Sequence, residues 1–187
     1  MGEALIIEEW DELHPRWDEL LLFVQGEQQA EWLATRADWH LSTHVLVAQQ
    51  GEQIVGFLRF VTQVIGVEED HDPVALEGIS LTEAKVLAFG VGQAQRRRGI
   101  GRALQEAALR RAKALGCYQV RSHSDGSYEA NHQLKLVMGF GVHPIVRGND
   151  TRGVYFVMPL RRPVSEPPDE LLNYWLRNRN PRNRLTQ

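Results

Sequence analysis

Apolar positions change their spacing repeatedly along this chain, and each change marks an element. Ala4 to Glu8 alternates loosely, as a first strand would. From Asp11 onward Leu13, Trp17, Leu20, Leu21 and Val24 recur at helical spacing, with Gly26 as a stop, and a second helical stretch is expected from Glu27 to Trp39. His44 to Gln49 reads as a strand and Gln50-Gly51-Glu52 as a tight turn. Gln53 to Val67 is apolar on both parities, the mark of a strand covered on both faces. After an acidic stretch, Glu83 to Val91 is the next strand. A helix then runs from Gly99 to Leu115, with Ile100, Ala103, Leu104, Ala107, Ala108 and Leu115 on its apolar face and Gly116 as its stop. Tyr118 to Ser124 is a strand, Asn131 to Met138 a short helix, and Gly153 to Leu160 a last strand.

The predicted order is β-α-α-β-β-β-α-β-α-β, an α/β (α+β) chain with a mixed sheet and helices on its faces. Residues 1–162 form the one domain. Residues 163–187 differ in kind: Pro163, Pro167 and Pro168 are followed by an amphipathic piece and by Arg177, Arg179, Arg182 and Arg184, a basic tail expected as a docked short helix with a frayed end.

Composition narrows the picture only a little. With 187 residues, 43% hydrophobic and 24% charged, there is room for one sizeable core. No apolar run approaches the roughly 18 residues that span a bilayer, and the acidic start has no secretory pattern, so no membrane partner and a cytoplasmic location are expected. Cys117 is the only cysteine, which excludes an intrachain disulfide. A net charge of −3 argues against nucleic acid as a partner, and no metal is called for. The charge is nevertheless segregated. Glu68, Glu69, Asp70 and Asp72 form an acidic loop, while Arg96, Arg97, Arg98 and Arg102 cluster, as if a cationic and an anionic ligand meet on one protein.

The chemistry lies in Val91 to Gly101, V-G-Q-A-Q-R-R-R-G-I-G. A strand ends, a short polar loop follows, and a helix begins near two glycines. Helix N-termini carry unpaired N–H groups and a partial positive charge, glycines admit a ligand to the backbone, and arginines add charge for phosphate oxygens. The combination describes a diphosphate cradle. A P-loop is excluded because no G-K-[ST] follows, and a dinucleotide fingerprint because there is no G-x-G-x-x-G.

At these residues the chain resembles the GNAT superfamily of acyl-coenzyme A-dependent N-acyltransferases, whose motif [QR]-x-x-G-x-[GA] reads here Arg96-Arg97-Arg98-Gly99-Ile100-Gly101 after Val91. Gln93 stands where many members have Pro. A second motif, a helix ending in G-F, is similar to Asn131, Leu134 and Met138-Gly139-Phe140, but Lys135 occupies the place of the usual proton-donating Tyr. The resemblance spans His44 to Leu160. It implies a mostly antiparallel sheet whose two middle strands, Glu83–Val91 and Tyr118–Ser124, splay to admit pantetheine.

It further implies acetyl-CoA as cosubstrate and direct attack by a primary amine, on a small molecule or a peptide, without an acyl-enzyme. Phe89, Val91, Arg96, Arg97, Arg98, Gly99, Ile100, Gly101, Arg102 and Asn131 are the expected cofactor contacts, and the Val91 N–H is the expected oxyanion donor. Glu83, on the same strand parity as Lys85, Phe89 and Val91, is a candidate base, with Glu77 and His123 behind it. Lys135 or Tyr128 is the candidate proton donor to the thiolate. The acidic loop could attract a cationic acceptor. Members of the family often dimerise, which makes a homodimer an expectation. The other reading is a non-catalytic acyl-CoA sensor of the same fold, supported by Lys135 in place of Tyr; a nucleic-acid role for the basic tail is a weaker third.

Overall fold

In the computed structural model, residues 3–124, 129–144 and 153–160 are described. The elements are β1 (Leu5–Trp10), α1 (Trp17–Gly26), α2 (Ala30–Ala34), β2 (Ser42–Gln50), β3 (Gln53–Val64), β4 (Ala75–Leu76), β5 (Ile79–Ser80), β6 (Thr82–Val91), α3 (Ile100–Ala114), β7 (Gln119–Ser124), α4 (Glu129–Val137), β8 (Gly141–Pro144) and β9 (Val154–Pro159). Seven strands make one sheet in the order β1-β2-β3-β6-β7-β9-β8, and β4 and β5 form a separate hairpin. Every pairing is antiparallel except β6 with β7. That pair is parallel because α3 lies between them, and a parallel pair needs a crossover rather than a hairpin. Among the described residues no helix is long and apolar enough to cross a membrane.

The sheet is covered on both faces. One layer packs Leu58, Phe60, Ala84, Val86, Val120 and Phe156 against Ile100, Leu104, Ala108 and Ala112 of α3. The opposite layer packs Trp10, Val45, Val47, Phe57 and Ala88 against Leu20 and Val24 of α1. This explains why β3 is apolar on both parities. The buried polar residues of this strand include Arg59, 1% exposed, whose guanidinium donates to the Trp32 and Thr35 carbonyls at 2.5 and 2.6 Å. Those bonds satisfy carbonyls at the end of α2 and pin that helix to the sheet.

Four expectations need correction. The first helix starts at Trp17 rather than Asp11, because Asp11 closes a turn by accepting from the Leu13 N–H at 2.9 Å, and Pro15 follows. The second is only Ala30–Ala34, bounded by Gln28 at φ 58° and by extended Thr35. β3 stops at Val64, before Gly66 at φ 103°. The segment left without an element contains the β4–β5 hairpin, its turn made by Glu77 and Gly78 with φ of 51° and 79°. β8 was not anticipated: at four residues it is too short to show a period.

Candidate active site

The sheet opens at its centre. The β6–β7 ladder runs from Glu83 opposite Gln119 to Val86 opposite Ser122 and stops there. Beyond that point β6 continues beside β3 to Val91, while β7 continues beside β9 to Ser124. The cause is a bulge. Arg59 pairs with Ala88 and Phe60 with Val86, so Leu87 is the extra residue, and a bulge bends its strand. The bulge also reverses the parity of β6. Glu83 therefore does not share a face with Phe89 and Val91, as simple alternation from the sequence suggested. Ala84, Val86, Phe89 and Val91 all pack on the α3 layer, and Ala88 on the α1 layer.

Past the bulge the free edge of β6 presents backbone. The Gly92 N–H donates to the Val55 carbonyl at 3.0 Å, toward β3. Successive N–H groups alternate between the two edges of a strand, so those of Val91 and Phe89 face the opening. The Val91 carbonyl on that edge accepts from Arg96 Nε at 3.0 Å.

Next to this edge is the cradle. After Gly92 and a single turn at Gln93–Gln95 the chain extends at Arg96, then passes through Arg97 (φ 65°) and Gly99 (φ 84°) into α3. No side chain caps α3, and its first N–H bond is Ala103 to Gly99 at 3.0 Å. The N–H groups of Ile100, Gly101 and Arg102 thus lack intrahelical acceptors and form the positive end of the helix.

The two glycines have different reasons for being glycine. A Cβ on Gly99 would meet open space, so only its left-handed conformation demands glycine there. A Cβ on Gly101 would lie 3.2 Å from Phe89 Cζ and 3.4 Å from Leu134 Cδ2, so this position brings α3 close to β6 and α4. The Ile100 side chain is core, leaving only its N–H for a ligand. Arg97, Arg98 and Arg102 are exposed, whereas Arg96 is tied to Glu27 at 2.9 Å as well as to Val91.

Helix α4 lines the other side of the opening. Asn131 Oδ1 is buried and has no partner among the described residues. Lys135 is 1% exposed. Its Nζ donates to Ser122 Oγ at 2.6 Å and stands 5.0 Å from the centre of the Phe156 ring. Burial pushes this amine down to about 8 from an ordinary value of 10.5. His132, one turn earlier, shares a hydrogen bond with Ser124 at 2.8 Å. Tyr128 lies outside the described residues, as does the tail at 163–187.

Glu83 is a correction. It is fully buried, and its carboxylate accepts from Arg121 (2.6, 2.9 and 3.1 Å), Gln63 (3.0 Å) and Gln119 (2.8 Å). A carboxylate so engaged is a counter-ion, with no lone pair left for an amine proton. Glu68 is a second correction. Rather than standing in an acidic loop it turns inward, bonded to Lys85, to Gln63 at 3.0 Å and to Arg121 at 2.6 Å. Burial works to raise its pKa, but these partners outweigh burial and hold it at about 2. Glu77 sits in the exposed hairpin turn, and His123 is exposed beside Tyr155.

Sequence reasoning missed Ser122 and Gln105. Gln105 interrupts the apolar face of α3, and both its amide atoms are buried without a partner among the described residues. Its polarity on that face was the available signal. Ser122 gave none, because Tyr118–Ser124 is polar on both parities.

An α/β sheet split between two parallel strands, with an uncapped helix N-terminus at the mouth, defines a class of protein that holds an extended anionic ligand within its sheet. The sequence matches the Acetyltransferase (GNAT) family over residues 5–140, and the chain belongs to that family. Its fold is similar to that of Arabidopsis thaliana NAA60 in complex with acetyl-CoA (14% identity, TM-score 0.62, covering 83% of this chain and 98% of that one). It is also similar to the ribosomal-protein-S18-alanine N-acetyltransferase from Escherichia coli (17%, 0.56, 88% and 99%). A third likeness is yncA from Salmonella typhimurium, a putative acetyltransferase with its cofactor acetyl-CoA (15%, 0.57, 89% and 99%). Comparison with curated proteins returned no match.

Proposed function

We propose that this chain is an N-acetyltransferase that moves the acetyl group of acetyl-CoA directly onto a primary amine. The observation that carries the reading is the juxtaposition of unpaired β6 backbone with the bare N-terminus of α3 and the orphaned Asn131 Oδ1. Each leaves hydrogen-bonding capacity unused, and together they suit a ligand with amides along its arm and a diphosphate at its end. The N–H groups of Ile100, Gly101 and Arg102 hold the diphosphate. Arg97, Arg98 and Arg102 add charge from solvent, while Arg96 fixes the loop. Backbone groups of Phe89 and Val91 take the pantetheine arm, and Asn131 closes over it from α4.

Bound acetyl-CoA supplies an acyl group on sulfur, whose C–S bond breaks as the amine's N–C bond forms. The Val91 N–H faces the carbonyl oxygen, where negative charge develops, as a fixed dipole. Lys135 takes the role of proton donor to the departing sulfur, becomes the neutral amine and regains its proton from solvent. Its buried cation has no carboxylate within ion-pairing distance among the described residues, so it stabilises a thiolate from its first formation. With Glu83 engaged by Arg121, we assign acceptance of the amine proton to His123, on the β7 face opposite α4 at the mouth of the opening.

Calorimetric titration with acetyl-CoA, followed by thiol release over a panel of amines and N-terminal peptides, tests the reading. Micromolar binding with release on any acceptor supports it. Binding without release across the panel would replace it with an acyl-CoA sensor.

A further inference from the structure

Helix α4 docks on the sheet through a polar seam where an apolar one would cost less. Two rungs cross it: His132 with Ser124, and Lys135 with Ser122. Both cations or potential cations lie over the Phe156 ring, His132 at 5.1 Å between ring centres. Burying an ammonium is expensive unless it is paired, yet among the described residues Lys135 has a hydroxyl and an aromatic face and no carboxylate.

Among the described residues, the other ionisable groups nearby do not offset it. His132 is engaged by Ser124. On β7, Arg121 turns to Glu83 and His123 to Tyr155, on the opposite face of the sheet; on α3, Arg102, Glu106 and Arg110 are exposed. Cys117, before β7, is packed in the core. Among the described residues Ser122 is therefore the one polar side chain bonded to Nζ, and it is itself 3% exposed. It also terminates the β6–β7 ladder, which puts its hydroxyl at the apex of the opening.

We infer that Ser122 is a positioning residue: its hydroxyl holds the Lys135 ammonium at the apex of the opening and keeps it protonated for transfer to the leaving sulfur. This rests on the acetyltransferase reading. A hydroxyl oxygen accepts from the ammonium, favouring the charged form against the desolvation that opposes it. Without it, Lys135 would lose its proton at lower pH and turn away from the apex.

The chain has three lysines, Lys85, Lys113 and Lys135, so the test can follow each one directly in the full-length protein without ligand. Lysine-specific nitrogen labelling and NMR titration should show Lys135 Nζ titrating near 8, well below the ordinary lysine value of 10.5. Ser122→Ala should move that titration to lower pH by about half a unit or more, and Ser122→Thr should restore it. Kinetics should follow. The alkaline limb of kcat moves down with the lysine, kcat falls about tenfold, and KM for acetyl-CoA stays within about twofold.

An unmoved Lys135 titration overturns the inference, and so does an effect confined to KM. Acetyl found on Ser122 by mass spectrometry would make it a nucleophile and overturn it too. Ser122→Cys, similar in size with a weak acceptor, serves if alanine does not fold. If Lys135→Ala leaves thiol release intact, the acetyltransferase role of Lys135 fails. If that variant is inactive while Ser122→Ala behaves as wild type, only the present inference fails.

Discussion

Replacing Lys135 with methionine removes a buried cation and leaves a side chain of similar length in its space. In the wild type at pH 7 this lysine is protonated in both states, and the folded state bears the cost of burying it. The drop from 10.5 to about 8 corresponds to about 3 kcal/mol. Against that gain, the variant leaves the Ser122 hydroxyl buried without its partner, a loss of about 1–3 kcal/mol. The net change at pH 7 is thus small and of favourable or neutral sign, despite the loss of a strong hydrogen bond. The pH dependence is more telling.

Between about 8 and 10.5 the unfolded wild-type chain binds a proton that the folded chain has given up, so wild-type stability gains on the variant as pH rises. The gain should reach about 2–3 kcal/mol between pH 7 and pH 10, which makes the variant the less stable protein at pH 10. All other titrating groups are common to both proteins and cancel in the difference. Urea unfolding at the two pH values, with turnover assayed in parallel, measures both halves. A stability difference that stays constant within about 0.5 kcal/mol across this range would refute the reasoning, because Lys135 would then titrate as if exposed.

Four other substitutions separate architecture from chemistry. Glu83→Gln should cost about 3 kcal/mol by leaving Arg121 partly unpaired in the interior; a well-folded variant that loses only turnover would instead make Glu83 a base. Gly99→Ala should cost about 1 kcal/mol through its left-handed backbone, and Gly101→Val about 2 kcal/mol through contact with Phe89 and Leu134, both read by thermal unfolding. Arg98→Ala should weaken acetyl-CoA binding more at low salt than at high salt, whereas a salt-independent loss would show that the arginine shapes the loop rather than attracting phosphate.

Much of the cradle was legible in the linear chain because its determinants are local. The run from Val91 to Gly101 contains its own strand end, turn and helix start, and backbone N–H groups at a helix terminus need nothing from elsewhere. The apolar face of α3 and the double-sided apolarity of β3 are local patterns as well, and they imply a covered sheet before any contact is known. Individual strand and helix limits were less legible. Glycines and turns set some of them, but α2 is held by Arg59, a residue more than twenty positions away.

The chemistry inside the opening was not local. A bulge at Leu87 is invisible in E-A-K-V-L-A-F-G-V, because it is defined by pairing with β3, and it moves Glu83 to the face away from Phe89 and Val91. Glu83 and Glu68 read as free acids until Arg121, Gln63 and Lys85 arrive from other elements to engage them. Lys135 reads as a charged helix residue; only its docking over Ser122 and Phe156 removes it from water and lowers its proton affinity. Spacing along the chain determined which backbone groups at the start of α3 are left without intrahelical acceptors, since that depends on bonds between near neighbours. Which side chains are ionised, engaged or poised depended on desolvation and on partners brought from far along the chain, and those exist only once the sheet has closed.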